Sequence, residues 1–192
     1  SYEQLEANEI DPVALHNEVE LIEKSLSEKS ELIKSSTEQS IITWEEVQSV
    51  LQENEVAIEM VRYRHFDHVF TDSVIYAGLY VKHPKVQKKP DVFTLDNGEE
   101  LEGKYYRAYR NSIIYTRRDR FSNDQYWQPI ADVVGPTATI YPSADGIYNM
   151  INLEAIPVND SEYVIDNSNI ILVSNTKDIY LNSLKAPSEK NV

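Results

Sequence analysis

Cysteine is absent from all 192 residues of the chain, and histidine occurs four times, never beyond His83. Without cysteine the chain holds no disulfide, no zinc–thiolate site and no thiol nucleophile. A serine nucleophile at Ser143, next to Asp145, would need an imidazole base brought from far away in the sequence. We therefore assign no catalytic residue to the chain.

Glycine and long apolar runs are also scarce. The five glycines are scattered, so the chain has no phosphate-binding glycine loop and no Gly-x-Ser-x-Gly motif. No apolar run approaches the length that spans a bilayer, and the N-terminus has no basic segment followed by an apolar one. We expect a cytoplasmic protein with no cofactor and no membrane contact.

Negative charge is in excess, with a formal net charge of −14 that is concentrated at the N-terminus. Residues 1–55 contain 14 Asp and Glu against 3 Lys and Arg, whereas the remainder contains 18 against 15. This acidic segment would repel phosphate, so nucleic-acid binding is not expected there.

A basic series with tyrosines between its members is the exception to this pattern. It could bind nucleic acid by charge and stacking. It could also be a solvated helix face, or a match for the acidic N-terminal helix, and we favour these interpretations because the chain is acidic overall. The series consists of Lys104, Arg107, Arg110, Arg117, Arg118 and Arg120.

The first quarter of the chain has a helical pattern. Apolar residues between positions 15 and 33 recur every three, four or seven residues, which predicts an amphipathic helix over 12–35. Thr43 and Glu46 have the spacing of a capping box and predict a short helix over 44–52. We interpret residues 1–54 as a helical connector.

From residue 55 the apolar period becomes that of strands, and later segments alternate between the two periods. Residues 55–180 are predicted to form a mixed α/β sandwich, and residues 181–192 a polar tail. Strands are expected at 56–63, 74–81, 92–95, 137–141, 147–151, 163–165 and 170–173, helices at 99–116 and 122–134, and a turn at 71–73.

His65, Asp67 and His68 lie close together in the sequence. Two imidazoles and a carboxylate can hold a metal ion, which gives a metal-dependent hydrolase as one alternative. A polar loop between two strands is the favoured interpretation, because no further well-placed ligand is visible. No metal residue is assigned.

Residues 140–156 contain a sharp corner between two apolar runs. Asp145-Gly146 is typical of a tight hairpin turn, so we interpret Ser143 and Asp145 as residues that form the turn. Glu59 and Glu154 are carboxylates on predicted strands, but nothing in the sequence pairs them as acid and base.

Four segments, taken in order, resemble a known family. Residues 43–64 combine a short helix with a strand that carries a glutamate, and residues 73–84 form a second strand. Residues 126–158 contain an aromatic-Trp-x-Pro helix, a Ser-x-Asp-Gly corner and a run to Glu-Ala. Residues 163–176 form the fourth segment. This order resembles the front part of a CHAT domain, the caspase- and separase-related module found after tetratricopeptide repeats. The matching positions are Trp44, Glu59, Trp127, Pro129, Ser143, Asp145, Gly146, Glu154, Ala155, Tyr163 and Ser174.

The chain departs from the family pattern in three ways. Asn152-Leu153 stands where a Pro-Phe pair is common, and "RHFDHVF" lengthens the first hairpin. The family's catalytic histidine and cysteine both follow the segment that matches residues 169–180, and no position of this chain matches either of them.

The resemblance implies a caspase-like, non-catalytic half of a cysteine endopeptidase that acts in bacterial defence. Its expected role is to scaffold a catalytic half of the same domain downstream of Val192. It would also link that half to an upstream helical repeat array or partner protein. The alternative from another class is a stand-alone protein-interaction module without peptidase activity.

Overall fold

A computed structural model of the protein describes residues 21–22, 41–135 and 139–185. The chain divides into two units, Ser1–Ile42 and Thr43–Val192. In the first unit Leu21 and Ile22 are helical and exposed. The rest of the predicted helix 12–35 lies outside the described residues.

The second unit begins with the predicted capped helix. Thr43 Oγ1 accepts a hydrogen bond from the Glu46 amide, and Glu46 Oε2 accepts one from the Thr43 amide at 2.8 Å. This capping box starts α1, Trp44–Val50, which ends two residues before the predicted boundary.

A five-stranded mixed sheet forms the centre of this unit, in the order β3-β2-β1-β4-β5. Antiparallel pairs join β1 to β2 and β2 to β3, whereas β1–β4 and β4–β5 are parallel. The prediction of a mixed α/β fold is confirmed. The strands are β1 (Glu55–Asp67), β2 (Val69–Lys82), β3 (Asp91–Leu95), β4 (Thr139–Ser143) and β5 (Asn169–Ile170).

The first hairpin is longer than predicted. It turns at His68, whose φ of 58° lies in the left-handed region, and not at residues 71–73. Residues 71–73 form a bulge in β2, where three residues face only His65 of β1. Thr71 Oγ1 donates to the His65 carbonyl and accepts from the Ser73 amide. The polar residues that suggested a turn therefore supply hydrogen bonds to backbone groups of the bulge.

Two helices follow β3, and each contains a π-helical turn. The first, α2, comprises Gly98–Glu100, the π-turn Leu101–Tyr105 and Tyr106–Ile114. The second, α3, comprises the π-turn Asn123–Trp127 and Gln128–Val134. Both predicted helices are confirmed, with Gly135 ending α3 at a φ of 81°.

The segments after β4 differ most from the prediction. The strands predicted at 147–151 and 163–165 are wrong, because 3₁₀ turns form at Gly146–Asn149 and Leu153–Ala155 and a short helix, α4, at Val164–Asn167. The predicted tail is helical as far as the described chain extends, since α5 covers Lys177–Lys185.

The core lies on one face of the sheet, between the strands and the helices α2 and α3. Side chains at alternate positions of β1, namely Val56, Ile58 and Met60, point into it together with the fully buried Tyr76 and Tyr126. On the other face of the sheet, a second set of buried side chains lies near α1, which packs against β2 and α5. The second set consists of Val47, Leu51, Ala57, Ala77 and Val81.

Candidate functional site: the corner after strand β4

The corner that follows β4 collects four of the residues singled out from the sequence. Glu59 of β1 and Ser143 of β4 are partners in the parallel ladder, so their side chains leave the sheet at the same level. Asp145 and Gly146 follow directly, at the carboxyl ends of the parallel strands. In open α/β sheets this edge commonly forms ligand sites.

Glu59 ties three segments together. Its Oε1 accepts a hydrogen bond of 2.6 Å from Ser143 Oγ, and its Oε2 accepts one of 3.1 Å from the Thr176 amide. Ser143 is buried, and its Oγ also lies 3.2 Å from the carbonyl of Ser174. The carboxylate therefore holds β1, β4 and the segment after β5 in register.

Ser143 does not have the environment of an activated nucleophile. Its hydroxyl donates to a carboxylate, and no imidazole hydrogen-bonds to it within residues 41–135 and 139–185. Both contacts are internal to the fold and join β4 to β1 and to the segment after β5.

Asp145 caps a helical turn and does not form a hairpin, which corrects the prediction. Its Oδ1 accepts from the Gly146 amide at 2.7 Å, and its Oδ2 accepts from the Arg62 amide at 2.8 Å. The next amide, that of Ile147, donates to Tyr76 Oη at 2.8 Å. Side chains thus accept hydrogen bonds from the first two amides of the 3₁₀ turn. In a hairpin, the returning strand would take up these amides instead.

Gly146 does have the positive φ that the sequence predicted, at 52°. A β-carbon at this position would overlap Tyr76 Oη and approach the Arg62 side chain too closely. Glycine is therefore required both by backbone conformation and by packing.

Arg62, Tyr76 and Glu102 form the second tie of the corner, and sequence reasoning missed this role for all three. Arg62 donates Nε–H to Glu102 Oε1 at 2.5 Å and Nη2–H to Oε2 at 3.0 Å. Tyr76 Oη donates to Glu102 Oε1 at 2.7 Å. The three residues come from β1, β2 and the π-turn of α2, and no short-range pattern relates them.

The charges at this tie are shifted in the direction that the contacts dictate. The hydrogen bond from Arg62 is the main cause that holds the pKa of Glu102 below its ordinary value. Burial, followed by the hydrogen bond to Glu102, raises the pKa of Tyr76 above its usual range. Glu102 therefore stays ionised and Tyr76 stays neutral near neutral pH, which suits a structural tie and not proton transfer.

A cluster of buried tyrosines packs against the corner. The rings of Tyr76 and Tyr126 each meet the ring of Tyr148 edge to face, with centroids 5.7 and 6.1 Å away. Tyr126 Oη donates to the Leu101 carbonyl at 2.7 Å, at the start of the π-turn that carries Glu102. Trp127, a family-motif position, is buried beside Tyr126, and Pro129 lies in the first turn of the α-helical part of α3.

An apolar cavity of about 490 Å³ opens beside the corner, toward β5. Glu154 is the single charged side chain among its lining residues, so the cavity has no acid–base pair. Glu154 was expected on a strand but lies in the 3₁₀ turn Leu153–Ala155, which Asn152 Oδ1 caps. The apolar lining is formed mainly by Ile58, Met60, Ile130, Pro142, Ile151, Leu153, Ile170 and Leu172.

Residues suggested as metal ligands lie away from this corner. His65 and Asp67 are on β1, and His68 forms the exposed turn of the first hairpin, with its Nε2 3.9 Å from Asp67 Oδ1. In the described part of the chain, no three His, Asp or Glu side chains are grouped so that they could hold a metal ion.

Members of the basic series make contacts within the chain. Lys104 pairs with Glu100 at 2.5 Å and lies over the Tyr105 ring. Arg118 pairs with Asp160. Two other pairs, Arg110 over Tyr106 and Arg117 over Tyr115, are of the cation–π type. Four of the six cations of the series therefore have a partner within the chain.

Comparison with known proteins adds no assignment: neither a model of a known protein family nor a curated protein sequence matches the chain. Among the described residues, no helix has both the length and the apolar character needed to cross a bilayer.

Proposed function

We propose that the chain is the non-catalytic N-terminal portion of a CHAT-family cysteine peptidase, which supports an adjoining catalytic half and links it to a repeat-type sensor. The proposal starts from the ordered sequence motifs. Their residues form ties inside the sheet and the corner, where Glu59, Ser143 and Asp145 are all engaged by neighbouring segments. A scaffold needs such ties, whereas a catalytic centre needs groups left available to substrate.

The observation that carries the proposal is the outer edge of β5. In the parallel ladder the amides of Ile171 and Val173 donate to carbonyls of β4, so the backbone groups of Ile170 and Leu172 point away from β4. No residue within 41–135 or 139–185 pairs with that edge. Leu172 is 72% exposed there, next to the apolar cavity.

An open edge of this kind accepts a further strand. A catalytic half that continued the sheet from β5 would cover Leu172 and the cavity. It would also contact the loop whose Thr176 amide is held by Glu59. A displacement transmitted through these ties would then reach the catalytic residues of the adjoining half.

The test uses a longer protein, expressed from the encoding gene with the codons that follow residue 192. The proposal expects a His-Gly motif and a later cysteine in that extension, and a peptidase activity that thiol reagents abolish. Leu172→Asp at the β5 edge should lower this activity at least tenfold, because it places a charge in a strand-pairing surface. Leu184→Asp, on the equally exposed face of α5, is the matched control and should leave the activity unchanged.

A gene that ends at residue 192 would refute the proposal and would favour the stand-alone interaction module. The extended protein could instead have both motifs and an activity that is insensitive to Leu172→Asp. That result would refute the placement of the catalytic half on β5.

A further inference from the structure

The first hairpin extends beyond the rest of the sheet. The pairing of β1 with β4 ends at Glu59, and the pairing of β2 with β3 reaches Tyr76. Residues 62–75, called the arm below, therefore form a two-stranded ribbon that reaches about 20 Å past its neighbours at 3.3 Å per residue. A ribbon of two strands is marginally stable on its own in water.

The face of β1 that carries the core continues onto this arm, first with two arginines and then with a phenylalanine. Arg62, Arg64 and Phe66 follow Met60 at even positions of β1, and Phe70 is paired directly with Phe66 between the bulge and the turn at His68. The two phenyl rings meet edge to face at 5.2 Å. Phe66 is nevertheless 60% and Phe70 73% exposed, because no described helix extends over this end of the sheet.

The charge of the arm differs from that of the rest of the chain. It contains Arg62 and Arg64 against Asp67 and Asp72, so its formal charge is zero, whereas the chain carries −14. Two copies of so acidic a protein repel each other at most approaches. The arm is a place where they can meet with little repulsion. Arg64 of each copy can approach Asp67 or Asp72 of the other, whereas Arg62 is held by Glu102 of its own chain.

We propose that the arm is a self-association surface, on which a second copy of this chain packs its own Phe66 and Phe70 around a two-fold axis. The same surface then faces itself, as in most homodimers. Because the four phenylalanines are already about one-third buried, they can bury only about 400–700 Å² more in total, which is below the roughly 1,200 Å² of a standard stable interface. The dimer is accordingly weak and concentration-dependent.

The test is sedimentation velocity of the 192-residue chain between about 5 µM and about 500 µM, where weak dimers form. The wild type is expected to shift from monomer to dimer over this range. Phe66→Thr with Phe70→Thr keeps a β-branched residue in each strand and should raise the dissociation constant at least tenfold. Ile113→Gln with Ile114→Gln is the matched control, because these side chains of α2 are 59% and 57% exposed, and it should dimerise as the wild type does.

Three results would overturn the proposal. The wild type could stay monomeric up to the highest concentration, or the phenylalanine variant could dimerise unchanged. Binding of the monomer to lipid vesicles, lost in the phenylalanine variant and without any dimer, would assign the arm to a membrane surface instead. Circular dichroism of both variants checks that the exposed substitutions leave the fold intact.

Discussion

Arg62 of β1 and Glu102 of α2 lie 40 residues apart in the sequence and are joined by two parallel hydrogen bonds. The fork of the guanidinium matches both carboxylate oxygens, which gives geometric specificity as well as energy. Since Tyr76 donates to the same carboxylate and accepts from the Ile147 amide, the pair connects the base of the arm to the corner after β4.

Glu102→Gln tests this connection. The variant keeps the shape of the side chain but loses its charge, and the free energy of unfolding is expected to fall by about 1–2 kcal/mol at pH 7. Urea unfolding measures the change. Glu100→Gln is the matched control, since it removes only the exposed pair with Lys104 and should leave the free energy of unfolding nearly unchanged.

The same pair predicts a pH dependence. Arg62 holds the pKa of Glu102 in the folded protein below its ordinary value of 4.5. The stabilisation is therefore fully present above about pH 4.5 and is lost as the pH falls through the lower folded-state pKa. The difference in unfolding free energy between wild type and Glu102→Gln should shrink from pH 7 to pH 3. A difference that grew toward acid pH would contradict the ion pair.

Gly146→Ala tests the corner itself. Its positive φ and the overlap of a β-carbon with Tyr76 Oη should lower the unfolding free energy by about 1–3 kcal/mol, measured in urea. Gly103→Ala is the control, because its β-carbon meets no atom within 4 Å, and it should be neutral or stabilising by up to about 1 kcal/mol. Equal effects of the two changes would contradict the packing described for Gly146.

Ser143→Ala separates a structural serine from a catalytic one. Loss of the hydrogen bond to Glu59 should cost about 1–2 kcal/mol of unfolding free energy. The peptidase kcat of the extended protein should stay within about twofold of wild type, since a transition-state contact would cost far more. Ser49→Ala, at an exposed position of α1, is the stability control. A loss of kcat of a hundredfold or more in a stably folded Ser143→Ala protein would assign the serine to the chemistry.

The sequence predicted the elements whose patterns are local. The capping box at Thr43 and the strand pattern of β1 recur in the structure, because each is encoded by residues a few positions apart. Gly135 likewise ends α3 as expected.

The errors at residues 71–73 and at the corner have different causes. Thr71 and Ser73 make local contacts that suit a turn as well as the bulge that they stabilise. At the corner, polar groups are satisfied by distant partners. Asp145-Gly146 resembled a hairpin turn, but the amides there are taken up by Tyr76, 71 residues away from Ile147, and Asp145 reaches back 83 residues to Arg62. Long-range side-chain partners of this kind leave no short-range pattern in the sequence.

The most direct test of the scaffold proposal compares peptidase activity in two proteins, the 192-residue chain and the protein extended through the downstream codons. The account predicts no hydrolysis by the 192-residue chain, which has no cysteine, and hydrolysis by the extended protein that iodoacetamide abolishes. Hydrolysis of peptides by the purified 192-residue chain, undiminished by the thiol reagent, would contradict it.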